Sequence, residues 1–311
     1  NNPGYIAFDW SSIVAEDFAM ADGQVVNWAT EELTKDSDQP EFIAVGLWRP
    51  HIPWYTPEKY FEMYPLESIE LPATLENDLD DVPPLGHKAE MRGLEMHEWV
   101  VEHGVWEEAV QAYLASIAYA DAMVGKIIDA LDASGRADET VIVLWSDHGV
   151  HLGEKGRWRK MALWEEDTHV PLIIVAPNVG TPGTRSAKPV SLLDIYPTLV
   201  DLVGLRDLPH LEGRSLLPLL EDPEAGWNHA AVSVYGFGNY AVRDERYRYI
   251  RYVDGTEELY DHQTDPHEWH NLAGDITKND VKRQLAARIP KKQAEDFRTS
   301  SPQWPTRLWR R

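Results

Sequence analysis

Apolar residues recur along this chain with two spacings, one typical of helices and one typical of buried strands. Over residues 22–35 the spacing is helical, which predicts a helix with Asp22 as its N-cap. A longer helix is predicted over about 97–133, ended by Ser134-Gly135. Its apolar stripe consists of Val110, Tyr113, Leu114, Ile117, Val124, Ile128 and Leu131. Asp121 lies on the same stripe, so we expect a buried, hydrogen-bonded carboxylate there.

Short, continuous apolar runs predict buried strands between the helices. The runs are Phe42–Trp48, Val141–Trp145 and Pro171–Ala176. Ser191 begins a capping-box pattern, which predicts a helix through Val203. Helices that alternate with buried strands indicate a mostly parallel sheet with helices on both faces, and therefore an α/β fold.

The pattern changes after about residue 207. Four short strands are predicted, at Ala230–Tyr235, Tyr240–Arg243, Tyr247–Tyr252 and Glu258–Tyr260. Asp254-Gly255 is typical of a hairpin turn, and a closing helix is predicted near Asn279 to Asp296. We therefore expect an α/β unit over 1–206 and a subdomain over 207–311, built on a small antiparallel sheet.

Composition narrows the functional classes. The 311 residues contain no cysteine, which excludes disulfides and thiolate metal sites. The formal net charge of −23 argues against nucleic-acid binding, because phosphate backbones require a basic surface. No stretch approaches the roughly 20 apolar residues of a membrane span.

The most informative segment follows the strand Val141–Trp145. Asp147 and His148 come directly after it, at the strand end where α/β folds bind ligands, and both are metal-ligand types. Four cations then follow within six residues: Lys155, Arg157, Arg159 and Lys160. In so acidic a chain, these cations indicate a local anion-binding site beside a metal site. The alternative is that Asp147 caps a turn and His148 is an ordinary loop histidine.

A second polar loop follows the predicted strand Phe42–Trp48. Pro50 and Pro53 exclude regular structure there, so Arg49 and His51 are expected on a rigid loop. If this strand and Val141–Trp145 belong to one sheet, His51 and Lys160 should face one crevice with Asp147 and His148.

Several separated blocks together resemble the sulfatase family, and in particular its iduronate-2-sulfatase-like members. The blocks are Phe42–Pro53, Tyr119–Gly125, Asp147–Gly149 with Leu152–Glu154, Thr168–Ile173, Asp194–Thr198, Glu258–Asp261 and Asp265-Pro266. Their joint order covers nearly the whole chain. The resemblance implies an alkaline-phosphatase-like sandwich and hydrolysis of sulfate esters by a formylglycine nucleophile.

The resemblance also implies roles for individual residues. Asp147 and His148 would bind calcium, with zinc or manganese as less favoured ions. Lys160, 13 residues after Asp147, would contact the sulfate, and His51 would give a proton to the leaving alcohol. Arg49 and His151 would bind substrate. Each role has a plainer alternative: Lys160 and Arg49 as solvated surface cations, and His51 as a histidine that caps neighbouring carbonyls.

The chain lacks two motifs of the family pattern. The Cys/Ser-x-Pro-x-Arg motif that yields formylglycine is absent, and so is the early Asp-Asp metal pair. We therefore expect a sulfatase chain without its amino-terminal third, partnered by that segment or by a second chain. The expected substrates are sulfated sugars, and the expected location is periplasmic, secreted or lysosomal. Two alternatives are a phosphodiesterase or phosphonate monoester hydrolase of the same superfamily, and a non-catalytic protein that binds sulfated glycans.

Overall fold

The computed structural model describes residues 8–88, 91–206 and 208–293. The helices are α1 (Ala21–Leu33), α2 (Glu58–Phe61), α3 (Pro84–Lys88), α4 (Met91–His103), α5 (Trp106–Ala133), α6 (Glu165–Thr168), α7 (Ile195–Leu202), α8 (Leu217–Glu221) and α9 (Asn279–Ala286). The strands are β1 (Trp10–Ile13), β2 (Trp54–Pro57), β3 (Ile142–Trp145), β4 (His151–Leu152), β5 (Trp158–Arg159), β6 (Leu172–Val175), β7 (Ala231–Val234), β8 (Tyr240–Arg243), β9 (Tyr247–Arg251) and β10 (Glu257–Asp261). None of the helices within these ranges is both long and apolar enough to cross a bilayer.

An aromatic core fixes the two polar loops that the sequence singles out. β1 and β2 pair in parallel, with Trp10 opposite Trp54. The Trp54 ring centroid lies 5.9 Å from that of Trp158 in β5. Both side chains are fully buried. Because Trp54 comes just after the His51 loop and Trp158 just before Lys160, this core sets the distance between the two loops.

The long helix packs through a face that overlaps the predicted stripe only in part. Val110 and Leu131 are buried as predicted, but the other buried positions are mostly small residues, namely Ala109, Ala112, Ala115, Ser116 and Ala118, together with Tyr119 and Met123. Asp121 is exposed, so its expected burial is wrong. Small side chains allow α1 and β2 to approach α5 closely, and a stripe drawn through the larger apolar residues misses most of that face. The predicted single helix is also two helices, α4 and α5, separated at Gly104, which has a φ of +63°.

Two strand predictions need correction. Residues 42–48 form no strand, and within the described residues they have no sheet partner. The Phe42 side chain is 84% exposed. β3 and β6 do pair, but they are antiparallel, because a returning loop and not a crossover helix joins them. The expected parallel direction of these two strands is therefore wrong, whereas β1 and β2 do form a parallel pair.

The carboxyl-terminal sheet is confirmed in strand positions and direction. Its order is β10-β9-β8-β7, all antiparallel, and Gly255 supplies the positive φ of the predicted hairpin turn. α9 covers one face through Leu285. The other face packs against Ala162–Trp164, the segment that follows Lys160. The closing helix ends at Ala286, earlier than predicted, and the predicted residues from 294 onward lie outside the described residues.

Candidate active site

Asp22 holds the loop that contains Arg49 and His51. The N-cap of α1 is Met20, so the predicted capping role of Asp22 is wrong. Its carboxylate instead accepts the backbone N–H groups of Trp48 at 2.8 Å and Arg49 at 2.9 Å. The Trp54 indole donates to the Pro50 carbonyl at 2.8 Å. These bonds fix the loop from both sides.

Arg49 braces the same loop with its guanidinium. Nη2 lies 3.2 Å from the Tyr55 carbonyl and Nη1 lies 3.5 Å from the His51 carbonyl. The group is half-buried, and burial lowers the pKa of Arg49. Its donors are thus largely engaged by backbone, and substrate binding by Arg49 stays a prediction.

His51 presents one ring nitrogen to the site. Nδ1 lies 2.7 Å from the Ile52 carbonyl, which can only accept, so Nδ1 carries a proton and Nε2 faces away from that bond. Burial lowers the pKa of His51, the bond to Ile52 opposes that effect, and positive charge on Lys160, His148 and Arg159 lowers it further. The structure therefore brings Lys160 and His148 each within electrostatic reach of His51.

Asp147 and His148 fit a divalent cation. His148 Nδ1 lies 2.8 Å from the Gly149 carbonyl, so that nitrogen donates and Nε2 keeps its lone pair in the neutral ring. Nε2 lies 3.7 Å from Asp147 Oδ1, close enough for one ion to contact both atoms. Metal-ligating histidines commonly donate their other N–H to a backbone carbonyl in this way. Two ligands alone hold calcium weakly, since calcium prefers about 6–8 oxygens.

Only part of the expected cationic island reaches the site. Lys155 is buried and donates to Asp78 Oδ1 at 2.8 Å and to the Glu268 carbonyl at 2.5 Å. Arg157 is also buried, with its guanidinium 4.6 Å from the Trp164 ring centroid. These two cations belong to the interior, so the local positive charge at the site comes from Arg159 and Lys160.

His151 lies behind the site and not in it. Its side chain has no exposed surface, which contradicts the predicted direct contact with substrate. Nδ1 lies 2.8 Å from Asp167 Oδ1, and Nε2 lies 3.7 Å from Glu166 Oε2. The sequence analysis missed both acids. Their signal was the unusual acidic run Glu165-Glu166-Asp167, which lies a few residues before the apolar run Pro171–Ala176.

The buried Glu166–His151 pair should make stability depend on pH. Burial raises the pKa of Glu166 to about 7 from 4.5, with the charge on His151 opposing the rise. For His151, burial lowers the pKa but Asp167 outweighs it, so the net shift is upward. Both groups hold protons more tightly in the folded state, so stability falls as pH rises through 4.5–7 and further above 6.5.

We expect Glu166→Gln to flatten this dependence. At pH 8 the variant should be more stable than the wild type by about 2 kcal/mol, because glutamine is neutral at every pH. At pH 5 the two proteins should be nearly equal. Urea unfolding at both values measures this, with Asp129→Asn on the exposed side of α5 as the control. A wild-type stability that rises from pH 5 to 8 would contradict a protonated, buried Glu166.

A second cluster resembles a metal site but is already neutralised. Among the described residues, Glu165, His262 and Glu268 are close enough to share an ion. The Arg248 guanidinium, however, donates to both carboxylates. A cation there would face that fixed positive charge, so the cluster is a buried ion-pair network.

Comparisons with known proteins agree on one family. The family model described as Sulfatase matches residues 2–205, and that described as N-sulphoglucosamine sulphohydrolase, C-terminal, matches residues 153–295. A "Sulfatase" of Formosa agariphila is 43% identical over 92% of this chain and 56% of its own length. The choline-sulfatase of Rhizobium meliloti is 31% identical over 83% of this chain and 51% of its own length. The chain thus spans about half the length of the curated relatives it matches.

Solved structures give the same fold. The phosphonate monoester hydrolase of Agrobacterium radiobacter has a TM-score of 0.80 at 27% identity, covering 92% of this chain and 63% of that protein. A protein solved with its substrate D-glucosamine-2-N,6-O-disulfate has a TM-score of 0.71 at 22% identity, covering 86% of this chain and 68% of its own. The latter likeness concerns the fold alone.

Proposed function

Because the chain belongs to the sulfatase family, we propose that the protein containing it is a calcium-dependent sulfatase that acts on sulfated sugars. The observation that carries the proposal is that His51 lies within electrostatic range of Lys160 and of His148, a candidate metal ligand. Asp147 lies beside His148 in the same loop. A sulfate ester requires such a combination of positive charge and a proton donor.

The roles follow from the charges and the tautomers. A divalent ion held by Asp147 and His148 would supply positive charge beside the sulfate, with zinc or manganese as alternatives to calcium. Lys160 binds the sulfate oxygens and stabilises the charge that develops on them. His51 Nδ1 keeps its proton for the Ile52 carbonyl, so the proton that reaches the leaving alcohol is a second one, carried on Nε2 of the imidazolium form. Its positive neighbours favour release of that proton.

The nucleophile and the remaining metal ligands lie outside this sequence in our proposal. A formylglycine in a further segment would supply the nucleophile. Exposed apolar side chains support this part of the proposal: Trp145 in β3 is 50% exposed and Ile173 in β6 is 56% exposed. Residues 42–48 also have no sheet partner among the described residues. Exposed apolar patches are unusual on a soluble protein unless something covers them. Export to the periplasm, cell exterior or lysosome is part of the same proposal.

We expect residues 1–311 alone to lack sulfatase turnover, because a site without its nucleophile keeps only positioning and electrostatic effects. Co-expression with a segment that carries the formylglycine motif should give calcium-dependent hydrolysis of an aryl sulfate and of sulfated monosaccharides. Release of inorganic sulfate is the measurement. Turnover at a rate normal for an enzyme by 1–311 alone would contradict the proposal.

A phosphonate monoester hydrolase is the second candidate, favoured by the TM-score of 0.80 to such an enzyme. An aryl phosphonate monoester tested beside the aryl sulfate distinguishes the two. A preference for the phosphonate in kcat/KM would replace the sulfatase assignment. Binding of a sulfated glycan with no hydrolysis of either ester would identify a non-catalytic protein.

A further inference from the structure

We propose that Asp167 is a positioning residue that holds the metal-binding loop (residues 146–151) and the Lys160 loop (residues 158–162) in one fixed arrangement. The functional meaning of these loops rests on the proposed sulfatase activity. The link between them is a property of the fold and can be tested separately.

Asp167 accepts three hydrogen bonds, each from a residue of one of these two loops. Its backbone carbonyl accepts the Gly149 N–H at 2.8 Å. Its Oδ1 accepts from His151 Nδ1 at 2.8 Å, and its Oδ2 accepts the Ala162 N–H. The side chain is 3% exposed, so water does not compete for these bonds. Gly149 comes two residues after Asp147, and Ala162 comes two residues after Lys160.

The platform that carries Asp167 is itself fixed. The Glu165 backbone N–H, at the start of α6, donates to Glu268 Oε2 at 3.0 Å. The Glu165 carboxylate pairs with Arg248 and, at 3.3 Å, with Arg243 Nε. Both arginines belong to the carboxyl-terminal sheet. Glu165 and Asp167, two residues apart in α6, therefore face different ways, Glu165 toward the sheet and Asp167 toward the two loops.

The metal-binding loop lies directly on this helix. A Cβ added to Gly149 would come within 1.9 Å of the Glu166 backbone oxygen. No side chain fits there, so the loop cannot shift against α6 without losing its contact. A displacement of Asp167 is therefore passed to Asp147 and His148 on one side and to Lys160 on the other.

His151 determines which donor each carboxylate oxygen of Asp167 accepts from. It is fully buried, and its Nδ1 proton is the donor that one carboxylate oxygen of Asp167 requires. The other carboxylate oxygen is then left for Ala162. An asparagine at 167 cannot serve both donors, because one of its two terminal atoms is an NH₂ group that also donates.

Hydrogen exchange on residues 1–311 tests the link itself. In Asp167→Asn, the amides of Gly149 and Ala162 should exchange about tenfold faster or more, while amides in the middle of α5 stay protected. In His151→Asn both amides should stay slow, since the asparagine amide supplies an N–H near the position of Nδ1. Asp121→Asn, an exposed carboxylate on α5, is the matched control. Exchange that rises equally throughout the protein would show only loss of stability and would overturn the proposal.

Kinetics on the co-expressed enzyme test the consequence. Asp167→Asn and His151→Ala should lower kcat/KM for an aryl sulfate by about tenfold or more, and raise the calcium concentration for half-maximal activity. His151→Asn should recover most of the activity. Unchanged kinetics per folded molecule in Asp167→Asn would overturn the positioning role. An inactive wild type with the exchange effect intact would instead reject the sulfatase function and leave the loop link standing.

Discussion

Replacing Lys160 with alanine is expected to lower kcat/KM for an aryl sulfate by about 10²–10³, the effect of removing one preorganised charge from a developing anion. The physical reason is local. Arg159 and Lys160 supply the positive charge of the site, because Lys155 and Arg157 are buried in the interior. The chain as a whole carries a net charge of −23, which repels a sulfate ester. Losing Lys160 therefore removes a local attraction for the sulfate ester, and the acidic remainder of the chain does not replace it.

The matched control is Arg185→Ala, which removes one exposed cation from another loop. If net charge alone governed binding, both variants would lose activity equally. We expect the control to stay within about twofold of the wild type, with a change in salt dependence at most. Lys160→Arg should retain part of the activity, because a planar guanidinium keeps the charge but not the position of the ammonium. A Lys160→Ala enzyme with normal kcat/KM would show that Lys160 is a solvated surface lysine with no role in the reaction.

The sequence predicted well those elements whose partners lie nearby in the chain. The capping box at Ser191 is present, and the Asp194 carboxylate accepts a hydrogen bond from the Ser191 backbone N–H. The four carboxyl-terminal strands pair as successive hairpins, so local turn signals such as Asp254-Gly255 were enough to place them. Residues 42–48 have strand-like composition but no partner among the described residues, and composition alone cannot supply one.

The sequence allowed candidate site residues to be proposed from their residue types, but it did not predict which of them are buried. Asp147 and His148 were predicted because they follow an apolar run, and their role as metal ligands stays a prediction with which the geometry of His148 agrees. In the sequence, nothing distinguishes Lys155 and His151 from surface residues. In the structure both are buried: Lys155 pairs with Asp78, 77 residues away, and His151 pairs with Asp167, 16 residues away. Such pairings depend on tertiary structure, and a single sequence carries no record of which acid meets which base.

The largest expected loss of stability comes from Arg248→Ala. Arg248 lies in β9 with 2% of its side chain exposed, and it donates from Nε to Glu268 Oε1 at 2.5 Å. It also donates to Glu165 and, at 3.1 Å, to the Leu163 carbonyl. Burial alone would raise the pKa of Glu268, but Arg248 and then His262 outweigh it and hold that pKa at about 2. Glu268 thus stabilises the fold above pH 4.5, and this contribution is lost as pH falls toward 2.

Removing Arg248 leaves a fully buried carboxylate without its main partner, so we expect the free energy of unfolding in urea at pH 7 to fall by about 3–5 kcal/mol. Arg283→Ala is the control, since that arginine pairs with Asp280 at the surface, where 78% and 75% of the side chains are exposed. It should change stability by less than about 1 kcal/mol. Adding Glu268→Gln to the Arg248 variant should recover part of the loss, because the uncompensated charge is then gone. If Arg248→Ala is no more harmful than Arg283→Ala, water must reach Glu268 and the network is not the buried support of α6 that the structure describes.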